Sequence, residues 1–350
     1  MMSHPILSVM VISHNQAHLI RRCLDSILAQ CIDAPWEIVI SDDASMDNTW
    51  DIILEYVQQY SETKKNGKYY TPIIRAFQIN SSDYNPTVTS DRCAANKANV
   101  YNHARGKYCV NIDADDYLRS DDIYAYQISL LDDHPECSVA VQNIWYYNEG
   151  EPIESGLIWH QNPWREKEII SFDDYCRRRL FISNPAFMMR RDETLKPLDR
   201  YGLLFDDPII STHHILQGKI ICTNRADYMY VQYPNSIWNQ VKDDESDKLI
   251  RNLTVYLVYI LYFPNKAKSF LKLEIYNWIR ILKILLQKNE SLHLSDYTKK
   301  YVIRLHSNGV DEIIKNNRAY MYILLYVSLV INRFGLYGGM LASIWNKIVR

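Results

Sequence analysis

Short apolar runs alternate with stretches of helical periodicity along the first third of the chain. Ile6 to Ile12 is apolar and rich in β-branched residues, long enough for a strand and too short for a helix. After Ser13, His14 and Asn15, apolar residues recur at Leu19, Ile20, Cys23, Leu24, Ile27 and Leu28, the spacing of one helix face, with Asn15 near its cap. Trp36 to Ile40 predicts a second strand, Asp47 to Tyr60 a second helix and Thr71 to Ile79 a third strand. Arg92 to Arg105 then predicts a helix, and Tyr108 to Ile112 another strand. Such alternation predicts an α/β fold with a mostly parallel sheet and right-handed crossovers.

Beyond Asp116 the pattern is less regular. It predicts a helix over Asp121 to Leu131, a strand over Ser138 to Tyr146, a loop-rich stretch from Asn148 to Glu168, a helix around Pro208 to Gln217 and strands within Lys219 to Val231. From Asp244 the pattern turns helical, with candidate helices over 249–263, 266–287, 295–305 and 311–331. A boundary near Asn239 follows, dividing a body (1–239, with halves 1–118 and 119–239) from a helical extension (240–350). No internal repeat or low-complexity linker interrupts this order.

Charge sharpens that boundary. The net charge is −2, yet residues 1–239 carry 22 basic and 32 acidic side chains, and residues 240–350 carry 17 and 9. The acidic part suits metal or sugar chemistry, and the basic part suits a negatively charged surface such as phospholipid, or simply packing against the acidic body. Ala319 to Ile331 is too short an apolar run to span a bilayer, but the aromatic residues, Lys347 and Arg350 that follow suit an interfacial helix. A buried helix or a dimer contact would read the same way. Seven cysteines without a C-x-x-C pair point to reduced, buried thiols in a cytosolic protein, and the N-terminus lacks the features of a signal peptide.

Only 10 glycines are present, and no G-x-G, G-K-[ST], G-x-S-x-G or H-E-x-x-H occurs. A glycine-rich dinucleotide loop, a Walker loop, a hydrolase elbow and a zincin helix are thereby excluded. The polar clusters fall instead at predicted strand ends: Ser13, His14 and Asn15 after the first strand, Asp42 and Asp43 after the second, and Asp113, Asp115 and Asp116 after a later one. In an open α/β sheet ligands bind at the carboxyl ends of strands, so these groups should converge. Clustered carboxylates repel unless a cation is present, and oxygen-only ligands favour Mg²⁺ or Mn²⁺. An EF-hand is excluded by Leu118 and Tyr124, which stand where it needs Gly and Glu. An acidic turn capping the next helix is the plain alternative. Asp42 and Asp43 could accept hydrogen bonds from a base N–H or a ribose hydroxyl, whereas Asp47 fits a helix cap.

Three segments, LSVMVISHN (7–15) leading into LDSILAQ (24–30), EIVISDDASMDNT (37–49) and ARGKYCVNIDADDYL (104–118), together resemble the nucleotide-binding half of a family 2 glycosyltransferase of the GT-A fold. The resemblance implies a nucleotide-sugar donor, UDP-linked in the first instance, a Mn²⁺ or Mg²⁺ ion, and a saccharide or lipid-linked acceptor, with inversion at the anomeric carbon and no nucleic-acid partner. It implies that His14 sits beside the nucleobase, that Asp43 reads the base with Asp42 close by, and that Asp113 and Asp115 are the outer acids of a D-x-D signature. In that signature Asp115 ligates the metal, and Asp113 serves the ribose or the metal. Lys97 resembles a basic residue near the diphosphate. Asp206 and Asp207 resemble the acidic pair opening an acceptor-side helix, with Asp207 as base, although Asp207 before Pro208 also fits a helix cap. Tyr230 to Ser236 resembles a loop closing over the diphosphate. A sugar-phosphate nucleotidyltransferase would share the sheet but needs a Gly-rich basic loop where Ser13 to Asn15 stand. A non-catalytic nucleotide- or carbohydrate-binding protein is the other alternative.

Overall fold

The computed structural model describes residues 4–79, 89–158, 164–178, 180, 182, 187–192 and 207–234, all within one compact unit formed by residues 1–196 and 204–241. The expected C-terminal helices, their basic surface and the boundary near Asn239 lie outside the described residues.

The centre of the molecule is β1 (Leu7–Ser13), which pairs in parallel with β2 (Glu37–Asp42) on one side and with β6 (Tyr108–Asp113) on the other. β2 pairs in parallel with β5 (Ile73–Gln78), which forms one edge. Past β6 the sheet continues through β12 (Phe187–Arg190), β8 (Cys137–Val141), β13 (Lys219–Cys222) and β11 (Glu168–Ile170), making eight strands. β12 is antiparallel to both neighbours, and β11 is antiparallel to β13. The remaining contacts are parallel, so the sheet is mixed but mostly parallel. β1 is a topological switch point, because the chain winds outward to β5 on one side and then crosses to β6 on the other.

Helices cover the sheet because their periodicity gives each an apolar face. Ile20, Cys23, Leu24 and Ile27 of α1 (Ile20–Leu28) are buried against Leu7, Val9 and Val11 of β1. Ile52, Ile53 and Tyr56 of α2 (Thr49–Gln59) join the same core, and α3 (Thr89–His103) packs on β1 and β2. The remaining helices are α4 (Ile123–Asp133), α5 (Phe172–Arg178) and α6 (Asp207–Gln217).

Several expectations require correction. Asn15 caps nothing: α1 begins after Leu19 without a side-chain cap, and Asn15 occupies the left-handed region at φ 53°. The strand expected over 138–146 is two strands in different sheets. Gln142 Oε1 accepts from Asp227 N, and Asn143 donates its N–H to Arg225 O and its Nδ2 to Asn224 O, which draws the chain out of the large sheet into β9 (Ile144–Asn148). β9 belongs to a second sheet ordered β10 (Leu157–Ile158), β9, β14 (Tyr228–Gln232) and β7 (Tyr117–Leu118). Tyr230 to Gln232 is therefore strand rather than loop, and the stretch 148–168 carries a 3₁₀ turn and β10. The third strand starts at Ile73, because Lys64–Asn66 (β3) and Tyr69–Thr71 (β4) form a separate hairpin. α5, unforeseen, is too short for periodicity to reveal. All seven cysteines are free thiols, but Cys31 and Cys93 are only partly buried.

A buried ion-pair network ties the strands at the end opposite their carboxyl edge. Ser8 Oγ donates to Glu37 Oε1 at 2.6 Å, and the N–H groups of Arg105 and Gly106 donate to Ser8 Oγ. Arg75 closes the network on Glu37 Oε2 at 2.7 Å. Gly106 has no room for a side chain, since a Cβ there would stand 2.5 Å from Ser8 N and 2.7 Å from Leu7 C. Gly106→Ala should push β1 and β6 apart and cost about 1–3 kcal/mol, seen as a lower urea midpoint at unchanged slope. An unaltered midpoint would mean that this strand approach is slack.

Candidate active site

The pairing register puts the predicted clusters on one edge. Ser13 lies opposite Asp42 and Ile12 opposite Asp113, so the loops leaving β1, β2 and β6 share the carboxyl edge at the switch point.

The first two loops are stitched together by their own polar side chains. Ser13 Oγ donates to Asp42 Oδ1 at 3.0 Å, Ser45 supplies its N–H and hydroxyl to the same carboxylate at 2.9 and 2.5 Å, and Gln78 Nε2 adds a fourth bond at 3.2 Å. Asp42 is fully buried and engaged in this framework, beside Asp43 in the chain. Asn15 belongs to the same framework: its N–H donates to Ser45 Oγ and its Oδ1 accepts from Met46 N. Asp47 accepts from the N–H groups of Thr49 and Ala17, near the helix-cap role expected of it.

Asp43 is placed differently. Its Oδ2 faces Arg92 of α3 at 2.6 Å. Its Oδ1 is buried without a hydrogen-bond partner among the described residues, an arrangement that costs free energy unless a ligand donor completes it. His14 accompanies it: the imidazole Nδ1 lies 2.7 Å from Asp43 O, and Arg92 Nη2 stands 3.3 Å from both ring nitrogens. Asn96 of α3 donates to Ser13 O at 3.2 Å and holds a second unpartnered buried oxygen, Oδ1. Two acceptors are thus left open at the mouths of β1 and β2. Lys97 is partly buried on α3, but the cation in contact with His14 and Asp43 is Arg92. Nothing in a single sequence marks Arg92 or Asn96 beforehand; only their i, i+4 spacing on a predicted helix hints at a shared face.

The third cluster forms a tight turn, with Asp116 N donating to Asp113 O at 3.0 Å. One carboxylate oxygen from each of Asp113, Asp115 and Asp116 lies within 4.8 Å of the others. The three acids are not equivalent. Asp116 is buried, and both its oxygens are engaged, by Tyr228 OH at 2.6 Å and Val231 N at 3.2 Å. Burial, and then the charges of Asp115 and Asp113, hold its carboxyl well above the usual range. Asp115 is raised by burial against the lowering influence of Gln16, Arg22 and His18. Arg22, also unmarked in the sequence, donates to Asp115 O at 2.9 Å and to Tyr233 OH at 2.6 Å. Asp113 and Asp115 are the partly exposed pair. As hard oxygen donors they fit Mg²⁺ or Mn²⁺, with Asp116 as the anchor of the turn.

At the expected acidic pair only the backbone of Asp207 is described. Asp206 lies outside the described residues, and α6 begins at Asp207. One residue, Gly218, separates α6 from β13, so helix and strand run in opposite directions. β13 is parallel to β8, which runs in the direction of β6 across the antiparallel β12. The N-terminus of α6 therefore stands at the same carboxyl edge as Asp113.

Residues 8–84 match the family model described as glycosyl transferase family 2. The chain is 27% identical over 241 residues to an uncharacterized protein of Mycobacterium tuberculosis, covering 68% of this chain and 62% of that protein. It is 22% identical over 366 residues to chondroitin synthase of Pasteurella multocida, covering 91% of this chain and 35% of that one. The chain thus spans less than two thirds of the length of these curated relatives. In structure it is similar to S. aureus TarS 1-349 in complex with UDP-GlcNAc, at a TM-score of 0.52 and 16% identity, over 90% of this chain and 91% of that one. The resemblance carried by the three motifs is matched over residues 8–84 by the family 2 model, and the fold is similar to that of the GT-A glycosyltransferase TarS. No helix among the described residues is long and apolar enough to cross a membrane.

Two measurements test this arrangement. Arg92→Ala should leave the Asp43 carboxylate without its guanidinium and cost about 2 kcal/mol in chemical denaturation, partly restored by Arg92→Lys; equal midpoints in parent and Arg92→Ala would remove the pair from the account. Because burial raises Asp115 and Asp116, the cation-free folded state retains protons that the unfolded chain releases, so these groups lose stability as pH climbs above about 4. A cation must displace those protons, and the Mn²⁺-induced rise in melting temperature should be larger at about pH 7.5 than at about pH 5. An equal rise at both would place the ion elsewhere.

Proposed function

We propose that this protein is a metal-dependent, inverting glycosyltransferase that moves a sugar from a nucleotide-sugar donor to a hydroxyl of a saccharide or lipid-linked acceptor. The observation that carries the reading is the convergence, at one switch point, of two open acceptors on Asp43 and Asn96 with the partly exposed pair Asp113 and Asp115. Similar proteins support it: S. aureus TarS 1-349 is known in complex with UDP-GlcNAc, and another relative is a chondroitin synthase.

In this reading Asp43 Oδ1 accepts a hydrogen bond from the donor's base, as a uracil N–H would supply. Arg92 holds the other oxygen and keeps the carboxylate in place, and His14 offers a flat ring beside it. Asp113 and Asp115 hold a Mn²⁺ or Mg²⁺ ion, which when bound supplies the positive charge that a departing nucleoside diphosphate needs. Without it the acids would repel the diphosphate, since two like charges about 4 Å apart cost about 4 kcal/mol at an effective dielectric of 20. Asp207 removes the proton from the acceptor hydroxyl, with Asp206 beside it, and the freed oxygen attacks the anomeric carbon from the side opposite the leaving group. A single displacement inverts that centre.

Incubation of the full chain with UDP-sugars and Mn²⁺ should release UDP, and EDTA should abolish release; pyrophosphate as product would favour a nucleotidyltransferase. Asp115→Asn should lose the Mn²⁺-dependent thermal shift. Asp207→Asn should keep that shift while turnover falls by about 10²–10⁴. If both variants behave like the parent, the site assignment is wrong.

A further inference from the structure

The candidate cation site is joined to the second sheet through Tyr228. β14 and β9 are parallel, with Tyr228 opposite Ile144, Tyr230 opposite Tyr146 and Gln232 opposite Asn148. Alternation along each strand puts these six side chains on one face. The strip starts at the acids: Tyr228 OH donates to Asp116 Oδ2 and accepts from Asp113 N at 3.4 Å. One pleat further, about 6–7 Å along the strand, the rings of Tyr230 and Tyr146 are offset-stacked at 15° to one another with centroids 5.7 Å apart. Both are partly exposed. The Tyr230 phenol is raised by burial and then by the negative charge of Asp116, Asp113 and Asp115, which marks the ring as lying within the field of the acids. The next pair along the face is two amides, Gln232 and Asn148.

We propose that Tyr146 and Tyr230 form the floor on which a pyranose unit of the acceptor saccharide stacks, with the Asn148 and Gln232 amides meeting its hydroxyls. The proposal rests on the glycosyltransferase reading above and adds to it a site for the acceptor. A pyranose presents an apolar face of C–H groups and a rim of hydroxyls. Adjacent near-parallel rings match the first, and amides, which donate and accept, match the second. The six residues carry no cation, and the charge nearest to Asn148 is Glu151, which accepts from its Nδ2 at 3.1 Å. Such a strip suits a polyhydroxyl chain rather than a phosphate. It takes no residue from β2 or α3, where the nucleotide-side groups stand, and it leads away from the acids by way of Tyr228.

The test is saturation-transfer NMR on the full chain with three probes, cellohexaose, chitohexaose and a hyaluronan hexasaccharide, together with calorimetric binding of UDP and UDP-GlcNAc in the presence of Mn²⁺. At least one oligosaccharide should bind the parent, bind Tyr146→Ala about three- to tenfold more weakly, and bind Tyr146→Trp as well as the parent. Both nucleotides should bind all three proteins alike. If no probe binds the parent, or Tyr146→Ala binds as tightly as the parent, the floor is refuted. Selective loss of UDP-GlcNAc but not UDP in Tyr146→Ala would assign the rings to the donor sugar and overturn the acceptor assignment. Failure of UDP to bind the parent would instead remove the transferase reading, and this proposal with it.

Discussion

A parallel strand must end where its parallel neighbours end, and the site depends on that constraint. With β1 held between β2 and β6, the residues after Ser13, Asp42 and Asp113 have one edge on which to emerge. Because the chain winds outward on one side of β1 and then crosses to the other, that edge is a switch point, the place where open α/β sheets bind ligands. The opposite edge carries the buried Ser8, Glu37 and Arg75 network, which holds the same strands without any opening. One edge is committed to stability, and the other is free for chemistry.

The acids at the open edge show how a protein distributes negative charge it cannot neutralise by itself. Asp42 is absorbed into the loop framework by four hydrogen bonds. Asp43 is half satisfied, one oxygen on Arg92 and one open. Asp116 is buried and spent on Tyr228 and Val231, which ties the second sheet to the turn. Asp113 and Asp115 keep partly exposed oxygens within 4.8 Å of one another. Five carboxylates that look alike in sequence therefore hold three kinds of position, and of these five Asp43 keeps a buried oxygen with no hydrogen-bond partner among the described residues. Unfinished hydrogen bonds in an otherwise saturated edge are the physical signature of a place prepared for a ligand.

The second sheet is joined to the acidic turn by hydrogen bonds. Its strand β14 is reached through Tyr228, which touches both the turn of acids and the core, and the same strand carries Tyr230 and Gln232 outward.

Much of this could be read before any coordinates. The alternation of β-branched runs with helical periodicity identified β1, β2, β5, β6 and the helices between them, because burial on both faces of a parallel strand leaves a continuous apolar run that short-range pattern can detect. The acids at strand ends were legible for the same reason: where an apolar run stops, the next polar residues stand at the sheet edge. The breaking of 138–148 into two strands, the burial of Asp42 and Asp116, and the contacts of Arg22, Arg92 and Asn96 were not legible. Each depends on a partner that pattern along the chain cannot name, about thirty residues away for Asp42 and more than a hundred for Asp116. The sequence by itself determined which segments are strands and which chemistry their ends can offer. Only the tertiary structure decided which carboxylates are consumed in holding the loops and which are left open, because hydrogen-bond satisfaction is settled between segments brought together by the sheet.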